Sequence, residues 1–196
     1  MNATVLIPVK SMSSAKSRLS KKLNAEQKEK LVLQMLRHVL KTANILGDEY
    51  QTVVVTSDQK VKNIAKTFGA KTILEKNSGQ NRALAFAAKQ INQDLPLLTL
   101  SADLPLLKID DIEQMFLFLK QNDVVLAPSK EKTGTNAILM KQPFLLPYQF
   151  GKNSLDKFIT TAEKQKLRFK LYDSPTIAFD VDTVEDLEKV NLISQN

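Results

Sequence analysis

Short apolar runs alternate with helix-like segments along the first half of the chain, and this alternation constrains the fold more than any other feature. The runs are rich in β-branched residues and leucine, as buried strands are, and they cover residues 4–9, 52–57, 72–74 and 97–100. Between them, residues 24–46, 59–68 and 81–91 have helical patterns. Such a series predicts a parallel sheet with helices on both faces, whose ligands bind at the carboxyl ends of the strands.

The second half of the chain follows a less regular pattern. Helices are predicted at 109–120 and 154–164, and strands at 124–127, 136–140, 167–171 and 177–179. Thr183 and Asp186 form a capping-box pattern that starts a final helix. Because no segment has linker composition, we expect a single α/β domain over residues 1–196, with a mixed, mainly parallel sheet.

The composition excludes several classes of protein. Cysteine is absent, which excludes disulfides, thiolate zinc sites and cysteine nucleophiles. The only histidine, His38, lies within the first predicted helix and is assigned a structural role. No apolar stretch approaches the roughly 18–20 residues that span a bilayer, and we expect a cytoplasmic protein. The net charge of +7 favours anionic partners, such as nucleic acid or phosphorylated small molecules.

Two aspartate motifs that follow apolar runs predict a site for a divalent cation. Asp103 comes after the run at 97–100, and Asp180 and Asp182 come after the strand predicted at 177–179. On an extended backbone, the side chains of Asp180 and Asp182 leave the same face and repel each other unless a cation lies between them. Carboxylates without a sulfur ligand indicate Mg²⁺. The alternatives are a turn aspartate at Asp103 and a helix-dipole partner at Asp182.

A basic segment follows the first predicted strand, at the position where open α/β sheets bind phosphates. It contains Lys10, Lys16 and Arg18 among several serines, and it has no glycine. It is therefore neither a Walker loop nor a Rossmann fingerprint, since both need glycines. A basic segment that only faces water is the alternative.

Three turns with a glycine could bind further polar groups of a ligand. Residues 134–136 precede a strand, residues 150–154 open a helix whose free amides attract anions, and residues 79–82 precede another helix. Ordinary turns and helix caps are the alternative in each case.

These motifs occur in the order seen in one known family. They are Ile7-Pro8-Val9-Lys10, Lys16-Ser17-Arg18-Leu19, Ser101-Ala102-Asp103-Leu104-Pro105, Gly134-Thr135-Asn136, Phe150-Gly151, Ser154, Phe179-Asp180-Val181-Asp182-Thr183 and Glu185-Asp186-Leu187. On these residues the chain resembles the 2-phospho-L-lactate guanylyltransferase family of coenzyme F420 biosynthesis. The resemblance implies a nucleotide-diphospho-sugar transferase fold of the glycosyltransferase-A type. It also implies guanylyl transfer from GTP to 2-phospho-L-lactate, phosphoenolpyruvate or 3-phosphoglycerate, with release of pyrophosphate.

The same resemblance implies roles for individual residues. The Mg²⁺ ligands would be Asp103, Asp180 and Asp182, and the acceptor phosphate would be held by Thr135, Gly151 and Ser154. Asp103 would act in catalysis with the cations that face the triphosphate, which are Lys10, Lys16 and Arg18. Other contacts to the nucleotide would come from Pro8, Ser57, Asp58, Gly79, Asn81, Ser101 and Ala102. Gln80 departs from the family pattern, in which an apolar residue is usual.

Two other functions are compatible with the sequence. A nucleotidyltransferase of the same fold could act on a sugar phosphate or on molybdopterin, and a non-catalytic nucleic-acid-binding domain would use the charge of +7. The chain has nine Phe, three Tyr and no Trp, which argues against base stacking. The partners that the resemblance implies are GTP and a small phosphorylated acid, and we expect no nucleic acid and no membrane. The oligomeric state is left open, with a homodimer as one option.

Overall fold

In the described part of the chain, seven strands form one mixed sheet. The structure is a computed structural model that describes residues 2–10, 19–20, 22–75 and 79–193. The strands are β1 (Ala3–Val9), β2 (Tyr50–Thr56), β3 (Lys71–Leu74), β4 (Leu97–Leu100), β5 (Val124–Pro128), β6 (Thr135–Met140) and β7 (Phe169–Leu171). Their order across the sheet is β3-β2-β1-β4-β6-β5-β7.

The described residues also form seven helices. These are α1 (Ala25–Asn44), α2 (Gln59–Thr67), α3 (Gln80–Ala88), α4 (Ile109–Leu119), α5 (Ser154–Lys164), α6 (Pro175–Ala178) and α7 (Val184–Ile193). None of the helices in this part of the chain is both long enough and apolar enough to cross a membrane.

Strand β6 runs against its neighbours, and this reversal shapes one edge of the sheet. Strands β1 to β4 pair in parallel, whereas β6 is antiparallel to both β4 and β5. Strand β7 pairs in parallel with β5. The amino end of β6 therefore lies at the same edge as the carboxyl ends of the other strands. The prediction of a mixed, mainly parallel sheet is confirmed.

Helices cover both faces of the sheet, as predicted. Alternate residues of β1 point to opposite faces, so that Val5 and Ile7 pack in one core with α1, α2 and α4, while Leu6 packs in another with α3 and α5. Strands β1, β4, β5 and β6 are buried along almost their whole length. Burial on both faces explains why these strands are continuous apolar runs rather than alternating ones.

A third, smaller apolar cluster lies beside the two main cores. Its buried members are Leu19, Val32, Met35 and Val181, and residues of α7 pack on it. Val181 separates the two aspartates of the second acidic motif. The cluster therefore anchors this acidic segment against α1.

The helix starts predicted from capping patterns are found. Asn24 Oδ1 accepts a hydrogen bond from the Gln27 N–H, and Gln27 Oε1 accepts one from the Asn24 N–H, both at 2.9 Å. At the start of α7, the Thr183 N–H donates to Asp186 Oδ2 at 2.8 Å, and the Asp186 N–H donates to Thr183 Oγ1 at 3.3 Å. Helix α1 ends at Asn44, slightly earlier than predicted.

The strand predicted at 177–179 is wrong, because this segment belongs to helix α6 and the turn after it. Pro175 occupies the first turn of α6, where its fixed φ favours a helix. Asn136 Nδ2 donates to the carbonyl oxygens of Ile177 and Ala178 at 3.1 and 2.9 Å. The Ala178 carbonyl oxygen also accepts the Lys130 N–H at 2.9 Å, so the end of α6 is held by a side chain and a single main-chain bond rather than by a strand ladder. The two aspartates that follow therefore do not lie on an extended strand.

Buried polar contacts tie α4 to its neighbours. Asp111 is 2% exposed, and its carboxylate accepts hydrogen bonds from Ser174 Oγ at 2.6 Å, Tyr172 OH at 3.0 Å and Thr176 Oγ1 at 2.7 Å. These donors replace the water that burial removes, and they hold the start of α6. His38 Nε2 lies 2.9 Å from the Leu107 carbonyl oxygen, which agrees with the structural role assigned to this histidine.

Candidate active site

A cavity of about 1030 Å³ opens at the carboxyl edge of the sheet. Its walls come from the ends of β1 and β4, the start of β6, the turn before α5 and the segment after α6. The residues of interest along these walls are Pro8, Lys10, Gln80, Ser101, Ala102, Asp103, Thr135, Asn136, Phe150, Gly151, Lys152, Ser154, Asp180 and Asp182. Because β6 is reversed, its first residues reach the edge where parallel α/β sheets bind ligands.

Three carboxylates converge in this cavity, as predicted. One oxygen from each of Asp103, Asp180 and Asp182 lies within 4.8 Å of the other two. All three side chains are half-buried. Asp103 follows β4, and the other two follow α6, which packs against β5 and β6. The Val181 N–H donates to the Asp103 carbonyl oxygen at 3.4 Å, and this bond joins the segment after α6 to the end of β4. An all-oxygen set of anionic ligands at this spacing fits a hard divalent cation such as Mg²⁺.

The electrostatics of the three carboxylates also favour a cation. Burial, together with the negative charges of Asp103 and Asp182, raises the pKa of Asp180 to about 6. The Asn136 amide and the Lys130 ammonium oppose this rise without cancelling it. A bound cation would remove the repulsion and displace the proton.

Asn136 positions the segment that carries two of the carboxylates. Its Nδ2 bonds the end of α6, as described above, and lies 3.4 Å from Asp180 Oδ1. Asn136 is 5% exposed and is the second residue of β6. Strand β6 therefore fixes the position of Asn136. The hydrogen bonds of Asn136 in turn fix the main chain that leads from α6 to Asp180.

A lysine and an aspartate that the sequence did not indicate as site residues complete this support. Asp186 Oδ2 accepts hydrogen bonds from the Asp182 N–H at 3.0 Å and from Thr183, while Asp186 Oδ1 pairs with Lys130 Nζ at 2.6 Å. Lys130 Nζ also donates to the Asp180 carbonyl oxygen at 3.0 Å. Burial would raise the pKa of Asp186, but Lys130 and the two main-chain donors lower it to about 2.

The capping pattern at Thr183 predicts a helix start, and it gives no sign of the contact with Lys130. No local sequence signal could have found Lys130, because its partners lie about fifty positions away along the chain and meet it only in the folded state.

Another part of the cavity wall is formed by hydroxyl groups and tight turns. Ser154 Oγ donates to Thr135 Oγ1 at 3.1 Å, and both residues are buried. Gly151 has φ of 116°, which favours glycine. At Gly134 a Cβ atom would lie 2.9 Å from Ser129 Oγ, which accepts the Gly134 N–H, so a larger residue would displace the Ser129 side chain and this close approach also favours glycine.

The residues expected to contact the nucleotide are only partly brought together. Pro8, Lys10, Ser101 and Ala102 line the cavity, whereas Lys16 and Arg18 lie outside the described residues. The other four residues expected to contact the nucleotide do not line the cavity; these are Ser57, Asp58, Gly79 and Asn81. Asp58 Oδ1 caps α2 by accepting from the Lys60 N–H at 2.8 Å. Gln80 does line the cavity.

The arrangement suits chemistry on phosphate groups. Carboxylates that can hold a divalent cation lie on one wall, hydroxyl groups and a helix start lie on another, and the ammonium groups of Lys10 and Lys152 line the same cavity. No histidine lies there to act as a general base, since the only histidine of the chain bonds Leu107.

Comparison of the sequence with protein-family models gives one match over almost the whole chain. The model described as "Guanylyl transferase CofC like" matches residues 3–195. The chain is 37% identical to the 2-phospho-L-lactate guanylyltransferase of Methanocaldococcus vulcanius, over 95% of this chain and 83% of that protein. It is 35% identical to the phosphoenolpyruvate guanylyltransferase of Thermobaculum terrenum, over 95% of this chain and 82% of that protein.

Solved structures show the same fold at much lower identity. A putative nucleotide-diphospho-sugar transferase from Desulfovibrio desulfuricans superposes with a TM-score of 0.77 at 14% identity, covering 100% of this chain and 89% of the other. Glucosyl-3-phosphoglycerate synthase from Mycobacterium tuberculosis, solved with Mn²⁺ and uridine diphosphate, superposes with a TM-score of 0.64 at 12% identity, covering 88% and 69%. The expected nucleotide-diphospho-sugar transferase fold is thereby confirmed, and the match over residues 3–195 shows that the chain belongs to the CofC-like guanylyl transferase family.

Proposed function

We propose that the protein transfers the guanylyl group of GTP to the phosphate of a small phosphorylated acid, forming a guanosine diphosphate diester and releasing pyrophosphate. The observation that carries this proposal is the set of three carboxylate oxygens within 4.8 Å of one another, in a cavity also lined by Thr135 and Ser154. The names of the two relatives above support the choice of donor and acceptor. The family resemblance suggests that the product serves coenzyme F420 biosynthesis.

Asp103, Asp180 and Asp182 would hold Mg²⁺ in this reaction. Their donor set fits, because it consists of oxygen alone and because the repulsion among the three carboxylates is relieved by a cation. When bound, the ion supplies neutralisation of phosphate charge and alignment of the two phosphate groups.

The acceptor phosphate would lie against Thr135, Gly151 and Ser154. Their hydroxyl groups and the start of α5 offer donors to an anion, and the Ser154–Thr135 hydrogen bond orients both hydroxyls. The distance between these three residues and the carboxylates decides whether an oxygen of the acceptor phosphate can approach the α-phosphorus of GTP in line with the leaving pyrophosphate.

The chemical step needs little proton transfer. An oxygen of the acceptor phosphate is already anionic at neutral pH; it forms a bond to the α-phosphorus as the bond to the bridging oxygen of the leaving pyrophosphate breaks. Lys10, together with Lys16 and Arg18, would stabilise the negative charge that develops on pyrophosphate. A site without a histidine base suits this reaction.

The test measures products directly. Purified protein with Mg²⁺ and GTP is given 2-phospho-L-lactate, phosphoenolpyruvate and 3-phosphoglycerate in competition, and mass spectrometry identifies the diesters formed. We expect one guanosine diphosphate diester to dominate, and pyrophosphate to appear only when an acid is present.

A panel of GTP, ATP, CTP and UTP serves as the control for the donor. Equal use of all four would overturn guanylyl transfer, and CTP as the preferred donor would make the protein a cytidylyltransferase. Absence of pyrophosphate release with all three acids would refute the proposed reaction.

A further inference from the structure

Asn81 uses both groups of its side-chain amide on the main chain of a single residue, Phe150. Asn81 Nδ2 donates to the Phe150 carbonyl oxygen at 3.0 Å, and Asn81 Oδ1 accepts from the Phe150 N–H at 2.9 Å. The pair resembles the exchange of hydrogen bonds between two strands, with a side chain in place of one strand. It connects the start of α3 to the turn before α5, 69 positions along the chain.

Phe150 opens the turn to which the proposed function assigns the acceptor phosphate. Its ring is stacked on Tyr148 with centroids 6.3 Å apart and lies edge-on to Phe158 at 5.3 Å. Residues 147–150 belong to neither a strand nor a helix, so the main chain of Phe150 has no hydrogen bonds of a strand ladder or a helix. Asn81 supplies the donor and the acceptor that such a main-chain segment needs.

We propose that Asn81 is a positioning residue for the acceptor rather than a contact to the nucleotide. By holding the main chain of Phe150, it sets where Gly151 and Ser154 present their polar groups. This inference rests on the proposed function in one respect, which is the assignment of the acceptor to Gly151 and Ser154. The position of Asn81 supports it, because Asn81 does not line the cavity while Phe150, Gly151 and Ser154 do.

The experiment compares Asn81→Ala and Asn81→Asp with Asn122→Ala. Asn122 is a matched control, because it is also half-buried and its Nδ2 donates to the main chain of a phenylalanine, Phe118, at 2.8 Å, away from the cavity. Steady-state kinetics with Mg²⁺ gives the KM of GTP and the KM of the preferred acid for each variant. We expect Asn81→Ala to raise the KM of the acid about 10- to 100-fold, since two hydrogen bonds are lost.

The other variants make the result specific. Asn81→Asp should not rescue binding of the acid, because a carboxylate oxygen would face the Phe150 carbonyl oxygen. The KM of GTP should stay within about twofold in all variants, and Asn122→Ala should leave both KM values unchanged. A rise in the KM of GTP equal to or greater than that of the acid would overturn the inference and return Asn81 to the nucleotide site.

A second measurement does not depend on turnover. Hydrogen exchange of a peptide covering residues 150–155 should be faster in Asn81→Ala than in the wild type, and unchanged in Asn122→Ala. Unchanged exchange in Asn81→Ala would overturn the inference. If the wild type transfers no guanylyl group to any acid, the proposed function fails, and the exchange rates still decide whether Asn81 holds this turn.

Discussion

The acidic and the cationic groups of the cavity are held in different ways. Asn136 and Lys130 donate hydrogen bonds to Asp180, and the Asp186 carboxylate accepts one from the Asp182 N–H. By contrast, the described cations of the cavity are the exposed Lys10 and Lys152. Within the described part of the chain, neither of these two ammonium groups makes a hydrogen bond or an ion pair.

This difference matches the two kinds of ligand. A metal ion requires ligands at nearly fixed distances, so its carboxylates benefit from support that exists before binding. A triphosphate spreads its charge over many oxygens, and long lysine side chains can order around it when it binds. We therefore expect the three carboxylates, held close together, to destabilise the protein when no metal is bound. The lysine side chains should instead lose conformational entropy when they order around a bound triphosphate.

The largest expected effect comes from removing a metal ligand. Asp103→Asn and Asp182→Asn should each lower the rate of guanylyl transfer by about a thousandfold, since the charge that holds the ion is lost at the reacting phosphates. Both variants should remain folded and should lose the rise in Tm that Mg²⁺ gives the wild type. Glu163→Gln, on the exposed surface of α5, is the control. Near-wild-type rates in both variants would disprove the metal assignment.

A smaller effect should follow from removing the support of these ligands. Lys130→Met should weaken Mg²⁺ binding about 10- to 100-fold, because the Asp180 main chain and the Asp186 carboxylate lose their shared partner. Isothermal titration with Mg²⁺ alone measures this change. Lys132→Met is the matched control, since Lys132 lies in the same turn and pairs with the exposed Asp173. Equal losses in both variants would show that Lys130 acts only through general charge.

For the cationic group, Lys10→Met should lower kcat/KM for GTP roughly tenfold, since it removes from a solvent-accessible position one charge that we propose faces the triphosphate. Mg²⁺ binding in the absence of GTP should not change. Steady-state kinetics and the same titration separate the two effects, with Lys157→Met on α5 as the control. If Lys10 also contributed to the metal site, Lys10→Met would change both kcat/KM for GTP and the affinity for Mg²⁺.

The smallest effect concerns stability without metal. The pKa of Asp180 lies near 6 in the folded protein, above the usual value of 3.8, so the folded state holds a proton that the unfolded state releases. The free energy of unfolding should therefore fall as pH rises from about 4 to 6. After chelation of metal at pH 7.5, Asp180→Asn should exceed the wild type in stability by about 1–2 kcal/mol, a difference that largely disappears at pH 4.

Urea unfolding at both pH values measures this difference, and Asp94→Asn in an exposed turn is the control. An Asp180→Asn variant that is less stable than the wild type at pH 7.5 would contradict the idea that the acidic group is strained without its ion.

Local patterns in the sequence predicted much of the fold and part of the site. The meeting of the three aspartates was predicted partly for a wrong reason, because Asp180 and Asp182 follow helix α6 rather than a strand. The first four strands, both capping boxes and the place of Asp103 at the end of β4 follow from apolar runs, side-chain capping and the rule that ligands bind at strand ends. Such features depend on residues that are close along the chain, or on the common edge of parallel strands.

Other features depend on contacts between distant segments. The direction of β6 follows from its neighbours in the sheet, and an apolar run over 136–140 carries no sign of direction. The same limit applies to α6, whose short apolar segment looks like a strand until Asn136 and Asp111 bind it. The side chain of Asn81 illustrates it again, since a turn motif gives no indication of a partner at Phe150.

The third apolar cluster has a thermodynamic consequence. Val181 lies between two of the proposed metal ligands and packs in the same cluster as Leu19, the residue that follows Arg18 of the basic segment in sequence. An ion that immobilises Asp180 and Asp182 would therefore also restrain Leu19 through Val181. Linkage then requires reciprocity, so that Mg²⁺ should tighten triphosphate binding by the same factor by which the triphosphate tightens Mg²⁺ binding.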